Sequence, residues 1–254
     1  MLGHPVGDDA SKTLARDRTE LGQFSEAPLD RATRRAIERL DGIALGEAQR
    51  VFATSQNVAD RLRRFNGIDA GVLPHPPHAL PFRNAEPEGF VLSVNRLDRA
   101  KRIDLLIEAA QAEPSLRLVI AGEGPDRERL EGLAAGLDGQ VEFTGRVDDE
   151  RLADLYARCL AVYYAPVDED FGMVPFEAFL SEKPVLTMTD AGGPLDIVRD
   201  RQTGLVVEPR VDELARACAW LREHADEART LGRAGREIAR TVTWDSCIDR
   251  LLAA

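Results

Sequence analysis

Between residues 86 and 240 the chain alternates short apolar runs with helical stretches at least five times, and this alternation constrains the fold more than any other feature. Val91-Leu92-Ser93-Val94, Leu116-Arg117-Leu118-Val119-Ile120-Ala121, Val141-Glu142-Phe143 and Leu160-Ala161-Val162-Tyr163-Tyr164-Ala165 all have strand length and composition. Helical segments follow, as from Ile103 through Ala110, where Leu105, Leu106, Ile107 and Ala109 supply an apolar face that must pack on a sheet. The pattern predicts an α/β, Rossmann-like doubly wound parallel sheet with ligands at the carboxyl ends of its strands.

One junction in this pattern carries two carboxylates eight positions apart, Glu169 and Glu177, within Glu169-Asp170-Phe171-Gly172-Met173-Val174-Pro175-Phe176-Glu177. Glu169 is expected at the end of the preceding strand and Glu177 about one turn inside the next helix. The amides of Gly172, Met173 and Val174 would open that helix, where unpaired N–H groups and the macrodipole attract phosphate. Pro175 suits a first turn, because its missing N–H costs nothing there. Taken alone, the two acids fit a plainer reading better, with Glu177 on a solvated helix face and Glu169 as a first-turn partner of the helix dipole. Asp168-Glu169-Asp170 also spells Asp-x-Asp, a pattern able to hold a divalent cation.

The strand Val91–Val94 opens into a basic loop, Asn95-Arg96-Leu97-Asp98-Arg99-Ala100-Lys101-Arg102. Arg96 and Lys101 are the phosphate candidates, one a planar donor fork and the other a compact point charge. Arg99 and Arg102 read as surface charges. Gly122 and Gly124, after the strand ending at Ala121, permit either a tight turn or close approach to phosphate. Backbone groups of Arg146 and Val147, beyond the strand at Phe143, are expected along the same sheet edge.

Taken in order, Ser93-Val94-Asn95-Arg96-Leu97 with Lys101, Ala121-Gly122-Glu123-Gly124-Pro125, Phe143-Thr144-Gly145, Glu169 with Glu177, Ala191-Gly192-Gly193-Pro194 and Thr203-Gly204-Leu205 resemble the donor-binding half of family 4 retaining glycosyltransferases, which have the GT-B fold. The resemblance spans roughly residues 50 to 250. It implies transfer of a sugar from a nucleotide diphosphate sugar, UDP- or GDP-linked, to a glycan or lipid-linked acceptor, with no metal or other cofactor. It also implies roles: Glu169 contacts the transferred sugar, Glu177 holds the ribose, and Arg96 and Lys101 stabilise the departing diphosphate. Three positions depart from the family pattern. Asn95 stands where glycine usually precedes the arginine, Ser181-Glu182-Lys183-Pro184 replaces a small residue and glycine before the proline, and Asp196 replaces a glutamate.

At about 100 to 200 residues per domain, this length accommodates one complete domain and part of another. Residues 1–82 read as a truncated amino-terminal, acceptor-side remnant and linker, 83–240 as the donor-binding domain, and 241–254 as a crossing helix. Within the remnant, helical spacing runs from Leu29 through Ile43, strands are expected at Arg50–Ser55 and Gly71–Pro74, and a helix spans Val58 to Phe65. His4 is a candidate acceptor-side base, whereas His75 and His78 sit among prolines and read as hinge packing. Trp244 and Leu251-Leu252 form an apolar edge open to a partner. Two readings therefore stand beside a transferase: a nucleotide-sugar-binding subunit completed by a second chain or by homo-oligomerisation, and a sugar-nucleotide epimerase.

The charge balance of 33 basic against 44 acidic residues, or −11, argues against nucleic-acid partners. Arg61, Arg63 and Arg64 form a local basic face able to touch a membrane that carries a lipid-linked acceptor. Cys159, Cys218 and Cys247 have neither zinc nor redox spacing and read as buried small hydrophobes. A cytoplasmic setting, peripheral at the inner membrane face, is the expectation.

Overall fold

The computed structural model describes residues 27–137 and 139–253. A helix α1 (Pro28–Glu47) leads into a small unit made of β1 (Phe52–Ala53), α2 (Gln56–Asn66) and β2 (Gly71–Val72). The main sheet follows as β3 (Phe90–Val94), α3 (Ile103–Ala112), β4 (Arg117–Ala121), α4 (Arg127–Leu133), β5 (Val141–Gly145), α5 (Asp149–Arg158), β6 (Ala161–Tyr163), α6 (Val174–Leu180), β7 (Val185–Met188) and β8 (Gly204–Val207). Helices α7 (Val211–Glu223), α8 (Ala225–Ala239) and α9 (Trp244–Leu252) complete the chain.

The main sheet has the order β5-β4-β3-β6-β7-β8, with every pairing parallel. The chain builds outward from β3 to β5, then returns to lay β6 against the other side of β3. The order therefore reverses between β3 and β6, and a crevice opens there at the strands' carboxyl ends. Alternating side chains feed opposite faces of the sheet. Val91, Leu118, Ile120 and Tyr163 meet α3, α4 and α7, whereas Phe90, Leu92, Val119 and Val162 meet α5 and α6. Both faces are covered, which explains the near-continuous apolar strands.

The small unit is a single parallel β-α-β element with two residue pairs of register. Its helix is framed by the sequence: the Ser55 hydroxyl accepts from the Val58 amide at 3.1 Å, and Gly67 ends it in a left-handed conformation. The expected strands Arg50–Ser55 and Gly71–Pro74 shorten to Phe52–Ala53 and Gly71–Val72, the two register pairs, with single hydrogen bonds from Gly71 N–H to the Val51 carbonyl and from Leu73 N–H to the Ala53 carbonyl at their ends. Helix α1 buries no residue, and Leu29, Leu40 and Ile43 are exposed. Helix α9, capped by Thr243 and Ser246, returns to the small unit, where the Cys247 thiol donates to the Pro74 carbonyl at 3.0 Å. Trp244 and Leu252 on its outer side are 62% and 78% exposed, as the sequence suggested for this edge.

Three local expectations need correction. Arg102 is not a surface charge: its side chain is 3% exposed, and it donates to the Ala165 and Pro166 carbonyls at 2.7 and 2.8 Å and to Asp190 at 2.9 Å. It ties the loop after β3 to the loop after β6. Arg61 does not belong to an open basic face, because it pairs with Asp168 and Asp170. Glu169 lies six residues beyond β6, held by a parallel bridge to Gly192 instead of standing at the strand end.

Candidate donor-binding cleft

The crevice between β3 and β6 is an open cleft of about 640 Å³. Its lining includes Asn95, Arg96 and Lys101 from the loop after β3, Gly122 after β4, and Arg146 and Val147 after β5. The loop after β6 and the start of α6 supply Glu169, Gly172, Met173, Val174 and Glu177. Segments as much as 102 residues apart in sequence, from His75 to Glu177, are thus gathered around one cleft by topology.

Gly122 and Gly124 differ in placement. A Cβ at Gly122 would lie 1.8 Å from the Asn95 carbonyl oxygen, and one at Gly124 would lie 2.1 Å from that of Leu97. Both let the turn after β4 press against the loop that carries Arg96, and Leu97 N–H donates to the Glu123 carbonyl at 3.0 Å. Gly122 lines the cleft, while Gly124 lies behind its wall. Asn95 takes an ordinary negative φ, and its side-chain amide donates to the Ser93 hydroxyl at 3.0 Å, so this position does not need glycine. Glu182, by contrast, adopts φ +56° where the resembled family has glycine, and it is held there by Arg236 and Asn84.

The two glutamates occupy opposite environments. Glu169 is partly exposed and forms an ion pair with the Lys101 ammonium at the mouth of the cleft. Glu177, 8% exposed, accepts from the buried Tyr156 hydroxyl at 2.6 Å. Burial raises the Glu177 pKa, against the opposing pull of the Tyr156 hydrogen bond and the nearby His78. Arg96 extends outward, 73% exposed, with Asp98 at 3.9 Å. Its contact with Asp98 is longer and more exposed than that of Lys101 with Glu169.

The Asp-x-Asp carboxylates, Asp168 and Asp170, both face Arg61, at 2.9 and 2.5 Å. Four further residues have contacts at the cleft that the sequence did not suggest. Tyr164 lies beneath Lys101 and against Gly172, and burial raises its pKa, with Glu169 beside it adding to the shift. Tyr156 orients Glu177, Arg61 grips the acidic loop, and Asn57 reaches the Glu169 carbonyl. For Arg61 alone a signal existed, since three consecutive carboxylates require a counter-charge. His75, read as hinge packing, lines the cleft with its ring 4.7 Å from that of Phe171. His4 lies outside the described residues.

Comparison with known proteins fits this architecture. The chain belongs to the glycosyl transferases group 1 family, whose model matches residues 81–238. Human alpha-1,3/1,6-mannosyltransferase ALG2 is 28% identical over 244 residues, covering 82% of this chain and 58% of that protein. The D-inositol 3-phosphate glycosyltransferase of Mycobacterium avium is 35% identical over 177 residues, covering 66% and 41%. The chain thus spans about half the length of these relatives. Among solved structures, sucrose-phosphate synthase from Thermosynechococcus elongatus superposes with a TM-score of 0.76 at 28% identity, over 87% of this chain and 60% of that one. Anabaena Alr3699/HepE in complex with UDP-glucose gives 0.74 at 22% identity, over 86% and 68%. No helix among the described residues is long and apolar enough to cross a membrane.

Proposed function

We propose that this chain is the donor-binding portion of a family 4 retaining glycosyltransferase that transfers a sugar from a UDP- or GDP-linked donor to a glycan or lipid-linked acceptor. The observation that carries the reading is the pairing of Lys101 with Glu169 at the mouth of a cleft whose inner wall holds Glu177. In this reading the diphosphate enters between Arg96, Lys101 and the amides at Gly172 to Val174, and the ribose hydroxyls meet the Glu177 carboxylate. Lys101 then partly exchanges its contact with Glu169 for the diphosphate, freeing Glu169 to accept from the sugar. As the bond to the anomeric carbon breaks, charge develops on the leaving phosphate oxygen, where fixed cations are most effective. Gly122, Arg146 and Val147 would border the base.

Transfer is read as metal-independent, because Asp168 and Asp170 are committed to Arg61. The acceptor is positioned by the amino-terminal side, supplied by this polypeptide, by a second chain or by an oligomer. We place the reaction in the cytoplasm, peripherally at the membrane where the acceptor is lipid-linked; the buried free cysteines fit a reducing compartment.

Calorimetric titration with UDP, GDP, UDP-glucose and GDP-mannose, with donor turnover assayed on the same sample with and without a chelator, tests this reading. Binding of one nucleotide pair, with any turnover insensitive to the chelator, is expected. Absence of binding to all four would refute the donor site, and binding without turnover would assign the chain to a complex completed by a partner.

A further inference from the structure

Asp168, Glu169 and Asp170 place three like charges side by side on the loop that presents Glu169 to the cleft. Mutual repulsion opposes any single arrangement of such a triplet unless cations answer it. Arg61, on α2 of the small amino-terminal unit, answers the two outer members. Its Nη2 lies 2.9 Å from Asp168 Oδ1 and donates to the Asp168 carbonyl at 2.7 Å, and its Nη1 lies 2.5 Å from Asp170 Oδ1. Burial opposes the guanidinium charge, yet Asp168 and Asp170 together hold the Arg61 pKa above its ordinary value.

Asn57, one turn before Arg61 on α2, and Ser55, the residue that caps α2, fix the loop backbone. The Asn57 side-chain amide donates to the Glu169 carbonyl at 3.0 Å, and the Ser55 hydroxyl donates to the Asp170 carbonyl. From the opposite side the Glu169 N–H donates to the Ala191 carbonyl at 2.9 Å, and its carbonyl accepts from the Gly193 N–H at 2.8 Å. Glu169 is therefore clasped at its backbone from both flanks, with its side chain directed to Lys101. Arg61 itself does not line the cleft.

We propose that Arg61 is a positioning residue for Glu169: by neutralising Asp168 and Asp170 it fixes the direction of the carboxylate between them, so that α2 sets the sugar subsite without touching the donor. This rests on the donor-site reading above. It assigns the Asp-x-Asp pattern to an intramolecular ion clasp.

The test is Arg61→Gln in the full chain, with calorimetry on UDP against UDP-glucose and GDP against GDP-mannose, and a thermal melt beside it. Nucleotide affinity is expected to stay within about twofold, since Arg96, Lys101 and Glu177 are untouched, while nucleotide-sugar affinity falls by about tenfold or more, as displaced reacting groups do. The decisive arm repeats the substitution in an Asp168→Asn/Asp170→Asn background. With no flanking charge left to neutralise, Arg61→Gln should cost little further, and Arg61→Lys in the native background should recover part of the loss. An equal penalty in both backgrounds, or parallel loss of nucleotide and nucleotide-sugar binding with the melting temperature, would overturn the proposal in favour of a purely structural contact. Wild-type protein that binds none of the four compounds would refute the donor site itself and this inference with it, whereas wild-type binding with an unchanged Arg61→Gln variant would refute this inference alone.

Discussion

In the six-stranded sheet Val91, Leu92, Ile120, Val162 and Leu186 are wholly covered, whereas the unit built from β1, α2 and β2 meets that sheet's loops mainly through Ser55, Gln56, Asn57 and Arg61. The first region is held by apolar burial, which is non-directional and is not weakened by charge screening. The second is held by charges and amides, which fix geometry more than they stabilise, since a partly exposed ion pair contributes only about 0.2–1 kcal/mol. One region supplies rigidity and the other supplies aim.

The comparison breaks most sharply at Phe176, which is 1% exposed beneath the cleft. Phe176→Ala should destabilise the protein by about 3–5 kcal/mol in urea unfolding, through lost burial and a residual cavity. Next in size, Arg96→Ala with Lys101→Ala should weaken nucleotide binding by about 1.5–3 kcal/mol, the range for charge-assisted hydrogen bonds. Its melting temperature should barely change, because Arg96 is exposed and Lys101 is only one half of a partly exposed pair.

Glu177→Gln should separate stability from binding. Burial raises this carboxyl's pKa in the folded protein, so the native state binds more protons than the unfolded one and stability falls as pH rises through that interval. The variant should therefore be more stable than the wild type by about 1 kcal/mol or less at pH 8, the scale of burying a polar group. That advantage should vanish near the unfolded glutamate pKa of about 4.3, while ribose-dependent affinity drops at neutral pH. A constant difference across the pH range would discard the burial explanation. The smallest expected effect is that of salt: near 1 M, where the screening length is about 3 Å, hydrogen exchange in α2 should quicken while β3 and β6 remain protected.

The parallel sheet was legible because its apolar runs are buried on both faces, though its strand order was not, and the position of Glu177 was legible because it falls one turn into α6. Lys101 and Glu169 could each be singled out in the sequence, but not their mutual contact, which depends on the reversal of strand order between β3 and β6. Arg102 illustrates the limit of local reading. Nothing nearby distinguishes it from Arg99, and its burial follows from carbonyls 63 and 64 positions away. Tyr156 was hidden for the same reason, since its partner stands 21 residues ahead on another helix.

The three thiols acquire a use from their placement. Cys159 lies in the core on one side of the sheet, Cys218 in the core on the other, and Cys247 at the contact between α9 and Pro74. Burial pushes the Cys159 and Cys218 thiols up to about 12, so at neutral pH they are protonated and closed to alkylation. Labelling of each thiol then times an opening event: undocking of the last helix at Cys247, and separation of one or the other helical layer at Cys159 and Cys218. The chain carries its own three clocks for the order in which its layers come apart.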